Sequence, residues 1–381
     1  MKTCIVTSDF FVPGETFINR HIEHIFGGDT CVLTGRFNGT DPLGKPLFVR
    51  RAPLSPADRL RAPFAMGWNA ALEGTGRLPF GDNRRRLADW LRAEKVEVIL
   101  AEFGTQALVV ARLATELNLP VFTYFRGTDA SFALRSRQIV RAYRRMMPRL
   151  DGVFSVSRFL LDNLARHGVT HHNAHVVPSG VDIRRFTPGE KRPGSFLAVG
   201  RMVEKKAPEV TLRAFAKAAQ GREAHLTFIG DGPLLDPCKA LAAELGIAAQ
   251  VTFTGALPHD AVREHLATTE TFLQHSVTAA NGNTEGLPTA IQEALACGCI
   301  TLSTWHAGIP EAVEDGVNGL LVPEWDEAGF AARIAQLLDM SDRSAMTRAA
   351  RDTAVAKFDN AVLLEKVETV IRDRLAARAR A

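Results

Sequence analysis

Disulfide-forming cysteine, tyrosine and long apolar runs are all scarce in this chain of 381 residues. The five cysteines (Cys4, Cys31, Cys238, Cys297, Cys299) are odd in number, scattered and without a C-x-x-C pair. That excludes a disulfide framework or a zinc knuckle and fits reduced thiols in small apolar slots. With only two tyrosines the chain lacks an aromatic platform for nucleic acid, so its basic stretches do not point to RNA or DNA. The longest apolar runs, at 96–101 and 196–200, are strand-length and far short of the ~20 residues a membrane span needs. Residues 1–9 run straight to Asp9 with no apolar signal core, so a cytoplasmic location is expected. No G-x-G-x-x-G follows the first strand, which argues against a nicotinamide dehydrogenase. Nor is there a credible acidic cluster to hold a metal.

What is present is an ordinary globular balance, 46% hydrophobic and 23% charged. At roughly 150 residues per domain the length predicts two domains, each able to bury its own core. The net charge of +4 hides an asymmetry, since residues 1–190 carry 26 Lys and Arg against 18 Asp and Glu, whereas 191–381 carry 20 against 24. The basic excess gathers in Arg84, Arg85 and Arg86 and in Arg135, Arg137, Arg141, Arg144, Arg145 and Arg149. Arg137, Arg141, Arg144 and Arg145 fall on one face of a helix. Such a stripe faces either water or anionic groups, and both readings stay open: a solvated face, or peripheral contact of residues 135–149 with an anionic membrane at the inner face of the plasma membrane.

Short β-branched runs at 3–7, 30–34, 96–101, 121–124, 152–156 and 175–177 alternate with helix-length amphipathic segments. The pattern restarts after a turn-rich stretch at 186–194, with runs at 196–199, 225–229, 250–253, 271–274, 300–303 and 319–322. Alternation of this kind predicts an α/β protein of two doubly wound, Rossmann-like domains of parallel strands, facing each other across a central cleft. The Pro, Gly and charge of the 186–194 stretch mark the linker. We accordingly expect domains at 1–188 and 189–357, and a C-terminal helix at 358–381 that packs back towards the first domain.

The most informative segment runs from Asn281 to Gly298. Pro288 suits the first turn of a helix and Gly298 the position after its end, so a helix is expected over 288–297. Glu285 lies in the loop ahead of it and Glu293 inside it, two carboxylates with seven residues between them. The helix N-terminus seats an anion, most economically a phosphate, while carboxylates accept hydrogen bonds from sugar hydroxyls. A second segment, 199–208, brings three cations to a strand-to-helix loop, and Arg201 with Lys206 makes a diphosphate clamp. Gly230 to Pro233 forms a third tight loop on the same edge, with Gly232 within it.

These motifs together resemble the nucleotide-sugar half of a GT-B glycosyltransferase, a retaining family-four enzyme of the exopolysaccharide and lipopolysaccharide type. Glu285 and Glu293 match the family's pair of glutamates, and Gly200, Arg201 and Lys206 match its glycine, arginine and lysine loop. The stretches 176–188, 228–234 and 303–326 and the turn at Gly255 follow the family as well. The resemblance implies a donor site in which Arg201 and Lys206 hold the diphosphate of a nucleotide sugar and Glu293 bonds ribose hydroxyls. Glu285, Gly286 and Leu287 would meet the sugar and its phosphate. It also implies glycosyl transfer with retention, needing no metal and no cofactor, to a glycan, lipid-linked or small-molecule acceptor, in agreement with the missing acidic cluster.

In the first domain, residues 11–18 resemble the family's loop after strand one, with Gly14 at the donor and Glu15 or Thr16 opening a helix towards the acceptor. The main departure is at residues 125–129. Many relatives carry His where this chain has Arg126. Arginine cannot act as a neutral base, so Arg126 is expected to clamp an anionic group on donor or acceptor, with Asp129 as its orienting neighbour; a structural ion pair is the competing reading. Two other functions remain open at this point: a catalytically silent nucleotide-sugar-binding sensor, and a nucleotide-sugar epimerase of the same fold.

Overall fold

The computed structural model describes every residue except Pro13, Glu15, Asn38, Thr40, residues 51–54, Arg77 and Ala381. The chain divides into two compact units, Met1–Val177 with Leu364–Ala381, and Pro178–Leu363.

In the first unit seven strands form one parallel sheet: β1 (Thr3–Asp9), β2 (Thr30–Arg36), β3 (Leu47–Val49), β4 (Val98–Glu102), β5 (Val121–Phe125), β6 (Gly152–Ser155) and β7 (Ala174–Val176). Their order is β3-β2-β1-β4-β5-β6-β7. Every residue of β4 and β5 is buried, as parallel strands covered on both faces must be. The helices between them are α1 (Thr16–His24), α2 (Pro56–Glu73), α3 (Gly81–Ala93), α4 (Gly104–Glu116), α5 (Arg137–Met146) and α6 (Arg158–Arg166). The second unit has six parallel strands: β8 (Arg192–Val199), β9 (His225–Ile229), β10 (Val251–Phe253), β11 (Thr269–Leu273), β12 (Ile300–Thr304) and β13 (Gly319–Val322). They are ordered β10-β9-β8-β11-β12-β13. Between and after them lie α7 (Pro208–Ala218), α8 (Leu235–Glu244), α9 (His259–Thr268), α10 (Thr289–Ala296), α11 (Glu327–Asp339), α12 (Ser344–Lys357) and α13 (Asn360–Arg380). Phe196, Phe215, Leu273, Leu302 and Phe330 are among the buried side chains that join sheet to helices there.

Strand order reverses between β1 and β4 in the first unit and between β8 and β11 in the second. In open α/β sheets such switch points part the loops at the strands' carboxyl ends and leave a ligand crevice. In the second unit, β8 and β11 are hydrogen-bonded neighbours, Phe196 opposite Thr271 and Leu197 opposite Phe272, so the loops that follow them emerge side by side.

Three limits differ from the sequence expectation. The unit division falls at Val177–Pro178 rather than at 188, because the intervening segment is bonded into the second unit. Gly180 N–H donates to Gln292 Oε1 at 2.8 Å, Val181 N–H to Phe358 O at 2.8 Å, and Arg351 Nη1 to Phe186 O at 2.7 Å. The last helix starts at Asn360 rather than 358, since Asp359 pairs with Val181 as an isolated bridge. Its later part belongs to the first unit, where Glu368 Oε1 accepts from Phe26 N–H at 2.7 Å and Arg378 pairs with Asp151 at 3.0 Å. Finally, β3 is too short for periodicity to reveal; it joins the sheet through Val32 N–H to Pro46 O and Arg50 N–H to Thr34 O, each 2.8 Å.

All five cysteines are buried and unpaired. Among the described residues no helix is long and apolar enough to cross a membrane.

Candidate functional site

The loop after β8 is shaped by glycine. Gly230 has φ +146°, and a Cβ there would stand 1.9 Å from Gly200 O; Gly232 has φ +150°, and its Cβ would stand 2.5 Å from Met202 O. Only glycine tolerates both the conformation and the approach. The two loops then lock, Met202 N–H to Asp231 O at 2.8 Å and Leu234 N–H to Met202 O at 3.1 Å. A 3₁₀ turn, Glu204–Lys206, carries the chain to Pro208 at the start of α7. That turn is tied to the loop after β11 by Val277 N–H to Lys205 O at 2.9 Å and Ala280 N–H to Glu204 Oε1 at 2.7 Å.

This register delivers two lysines to one carboxylate. Lys205 Nζ lies 3.0 Å from Glu285 Oε2 and Lys206 Nζ 3.0 Å from Oε1, with the lysine side chains only 12% and 17% exposed. Burial pushes the Glu285 carboxyl up, but Lys206 and Lys205 more than offset it and hold it at about 2. Burial pulls the Lys206 ammonium down, Glu285 opposes that pull, and Lys205 and Arg201 add to it. The cluster sets two lysines against one carboxylate, with the exposed Arg201 nearby. Two half-buried amino groups sharing a single carboxylate leave donors that a second anion could engage.

The Glu285 loop is fixed from the other side by His306. Glu285 N–H donates to His306 Nε2 at 3.0 Å, which assigns the ring proton to Nδ1, and Nδ1 faces Glu324 Oε1 at 2.6 Å. Glu324 in turn accepts from Thr278 N–H at 2.8 Å. Gly286 O accepts from Gly308 N–H at 3.0 Å, and Gly286 and Leu287 lie buried just ahead of α10. Pro288 serves as the N-cap of that helix rather than its first residue, and Gly298 at φ +69° follows its end. Glu293 sits one turn inside, mostly buried, with Oε1 2.9 Å from His259 Nε2. The structure thus gathers Lys206, Glu285, Gly286 and Leu287, with Glu293 further along α10. Lys205, His306, Glu324 and His259 were not assigned from sequence. Lys205 was within reach as the neighbour of Lys206, and His306 and Glu324 lie in the stretch 303–326 that follows the family; nothing local marks His259.

In the first unit the carboxyl-end loops hold a buried network. The Arg126 guanidinium is paired with Glu102 through Nε at 2.7 Å and Nη2 at 2.6 Å, and lies 4.1 Å from the Phe17 ring centroid and 3.9 Å from that of Tyr124. Its side chain is 4% exposed, and its pairing with fully buried Glu102 forms an ion pair inside the unit. Glu102, fully buried, also meets His21 Nδ1; burial raises its carboxyl, and Arg126 and His21 bring it below the usual range. Asp129 orients backbone rather than the guanidinium. Its Oδ1 accepts from Arg126 N–H at 3.1 Å and Gly127 N–H at 3.0 Å, and its Oδ2 from Gly104 N–H at 2.8 Å. Burial pushes the Asp129 carboxyl up, against those bonds. Thr16 begins α1. Gly14 is exposed, and a Cβ there would have no protein atom within 4 Å. Glu15 lies outside the described residues.

Of the sequence-predicted arginine stripe, Arg144 Nε donates to His167 O at 2.8 Å, Arg145 to Ala71 O at 2.9 Å, and Arg149 pairs with Glu73. Arg137 and Arg141 remain exposed. Among the described residues, no group of three or more His, Cys, Asp and Glu could hold a metal ion.

Two parallel, doubly wound units, the second with a cationic seat at its switch point, define a GT-B protein. Comparison agrees: Anabaena HepE, solved in complex with UDP, superposes with a TM-score of 0.79 at 16% identity over 98% of this chain and 100% of that one. The profile of glycosyl transferases group 1 matches residues 182–353, and that of glycosyltransferase family 4 matches 47–185. WcaL of Escherichia coli K12, provisionally named a colanic acid biosynthesis glycosyltransferase, is 29% identical over 73% of this chain and 71% of its own length. The amylovoran biosynthesis glycosyltransferase AmsK of Erwinia amylovora is 29% identical over 74% and 70%. The chain belongs to the group 1 glycosyltransferases and is a glycosyltransferase working from a nucleotide sugar. Neither the silent sensor nor the epimerase is favoured by these likenesses.

Proposed function

We propose that the chain transfers a glycosyl group from a nucleoside-diphosphate sugar to a glycan or lipid-linked acceptor in polysaccharide assembly, with retention and without metal. The observation that carries this proposal is the pair of half-buried lysines on buried Glu285 ahead of the N-terminus of α10. Lys205, Lys206 and Arg201 would face the diphosphate, and their charge would offset the negative charge that grows on the leaving group, a role a divalent cation fills elsewhere. Glu293 would accept from ribose hydroxyls, exchanging His259 for the ligand. Glu285 would meet the sugar, and the backbone N–H groups at Gly286 and Leu287 its phosphate. In the transfer step the bond from the anomeric carbon to the phosphate oxygen breaks. The bond to the acceptor oxygen forms on the same face, and the acceptor's proton passes to the departing phosphate. The names of WcaL and AmsK, with their exopolysaccharides, support the choice of acceptor class.

A panel of nucleoside-diphosphate sugars, incubated with candidate acceptors and chelator, tests all three parts. Release of nucleoside diphosphate that depends on acceptor, persists in chelator and gives a product with the donor's anomeric configuration is expected. Tight donor binding without release under any acceptor would overturn the transferase in favour of a sensor. An inverted product, or loss of turnover in chelator, would overturn retention or metal independence separately.

A further inference from the structure

Helix α2 is inside out. Its buried side chains are the polar Asp58, Asn69 and Glu73. Its large apolar ones face solvent: Leu60 is 80% exposed, Phe64 83%, Trp68 65% and Leu72 46%. Their spacing of four residues sets them along one stripe of the helix. Two of the inward polar groups have partners, Asp58 Oδ2 accepting from Asp82 N–H at 2.8 Å and Glu73 pairing with Arg149 and Arg112. The orientation is therefore stabilised from within. A surface helix ordinarily turns its apolar stripe to the core, and an exposed apolar stripe of this length signals a partner.

Charge selects the partner. Both acids of α2 are buried, while Arg59 and Arg61 are exposed on it. The neighbouring α5 reaches α2 through the Arg145 bond to Ala71 O and adds the exposed Arg141. A second copy of the chain would set these cations against their own kind, whereas an anionic bilayer offers apolar depth for the stripe and phosphate for the arginines. We propose that α2 lies in the interface of an anionic membrane, with Leu60, Phe64, Trp68 and Leu72 among the acyl chains and Arg59 and Arg61 at the headgroups. This relocates membrane contact from the arginine stripe of α5, half of which is consumed by bonds inside the unit, to the apolar face of α2. The inference is independent of the donor chemistry proposed above.

Flotation of the full chain with vesicles tests it, using phosphatidylcholine mixed with phosphatidylglycerol at about two to one, and phosphatidylcholine alone. The chain is expected to float with the anionic vesicles and to weaken as salt rises. Phe64→Ser with Trp68→Ser is expected to lower partitioning by about ten-fold or more. Arg59→Gln with Arg61→Gln is expected to lower it several-fold and flatten the salt dependence. Nucleoside-diphosphate binding and circular dichroism of both variants should match the parent, which separates loss of docking from loss of fold or donor site. Absence of flotation, or flotation unchanged in Phe64→Ser with Trp68→Ser, would overturn the proposal. So would a concentration-dependent dimer that this variant dissolves and that does not float, because the stripe would then belong to a second copy.

Discussion

Replacing Glu285 by Gln should separate stability from affinity and turnover, because one buried carboxylate restrains two half-buried lysines. At 3.0 Å and an effective dielectric of about 20, each lysine–carboxylate attraction is worth roughly 5 kcal/mol before desolvation is charged against it. Removing one partner of a buried pair typically costs about 3–5 kcal/mol. The titration of the carboxyl expresses the same interactions net of burial. It moves from 4.5 to about 2, which corresponds to roughly 3 kcal/mol at neutral pH. Being an acid with a depressed folded value, it contributes fully above pH 4.5 and loses that contribution as pH falls towards 2. Because both lysines keep some access to water and can lean outward, about 3 kcal/mol is the expected loss.

For a unit the size of Pro178–Leu363, that lowers Tm by about 6–12 °C. A saturating nucleoside diphosphate should return more of this loss in Glu285→Gln than it adds to the parent, because phosphate replaces the missing anion. Affinity for the free diphosphate should stay level or rise by about three- to ten-fold, since the lysines no longer divide themselves between two anions. Transfer should nonetheless fall by about two orders of magnitude, the sugar contact having gone. Differential scanning fluorimetry, calorimetry with the diphosphate and an acceptor-dependent release assay read the three quantities. A variant that melts with the parent and binds the diphosphate more weakly would refute the reasoning.

Four further outcomes are expected. Lys205→Ala, Lys206→Ala and Glu293→Ala should each weaken nucleoside-diphosphate binding by one to two orders, roughly 1.4–2.8 kcal/mol by calorimetry, and unchanged affinity in all three would exclude the clamp. Arg126→Ala should destabilise by about 3–5 kcal/mol in denaturant by stranding buried Glu102, with partial recovery when Glu102→Gln is added; unchanged stability with a raised KM for an anionic acceptor would instead make it a clamp. Burial drives the His275 imidazole down to about 4 against the pull of Asp326 and Glu324, so the neutral ring stabilises the fold above pH 6.5 and that stability, roughly 3 kcal/mol, drains away as pH falls to 4. Urea titrations of the parent at pH 7 and pH 4.5 should show this slope, and His275→Gln should flatten it. Gly230→Ala should abolish donor binding and lower Tm, since its Cβ would enter Gly200 O, and a well-folded variant that still binds would show the loop pairing to be dispensable.

Most strands were legible because parallel strands buried on both faces are written as short, dense apolar runs. His225–Ile229 and Gly319–Val322 appear in the structure with the limits read from sequence, and the other runs differ by a few residues at an end. The largest extension is β8, which begins at Arg192 and so includes Pro193 and Gly194, residues that punctuate a sequence but are tolerated in a strand's first positions. The donor loops were legible for a related reason. Gly230, Gly232, Pro288 and Gly298 each solve a local backbone problem, and such problems leave their residue type in the sequence. Pairings were not legible. Lys205 and Glu285 are 80 residues apart, and Arg126 and Glu102 are 24 apart. In both cases sheet order, which no local pattern carries, brings the charges together.

The arginine count shows why charge asymmetry predicts a surface only after the pairs are subtracted. The excess in residues 1–190 suggested one basic face, yet Arg112, Arg126 and Arg149 are matched by carboxylates, and Arg144 and Arg145 by carbonyl oxygens of neighbouring segments. Arg59, Arg61, Arg137 and Arg141 keep their charge at the surface, and two of these sit on the helix whose apolar stripe points outward. Hydrophobic periodicity alone would have placed Leu60, Phe64, Trp68 and Leu72 in the core, since it reports that a helix has an apolar side and not which way that side turns. What decides the direction here is the opposite face: Asp58 and Glu73 have partners waiting inside the unit, and an apolar side chain in their place would leave Asp82 N–H and Arg149 unanswered. The orientation of α2 is thus set by its polar residues, and its apolar ones are left for a partner that carries negative charge.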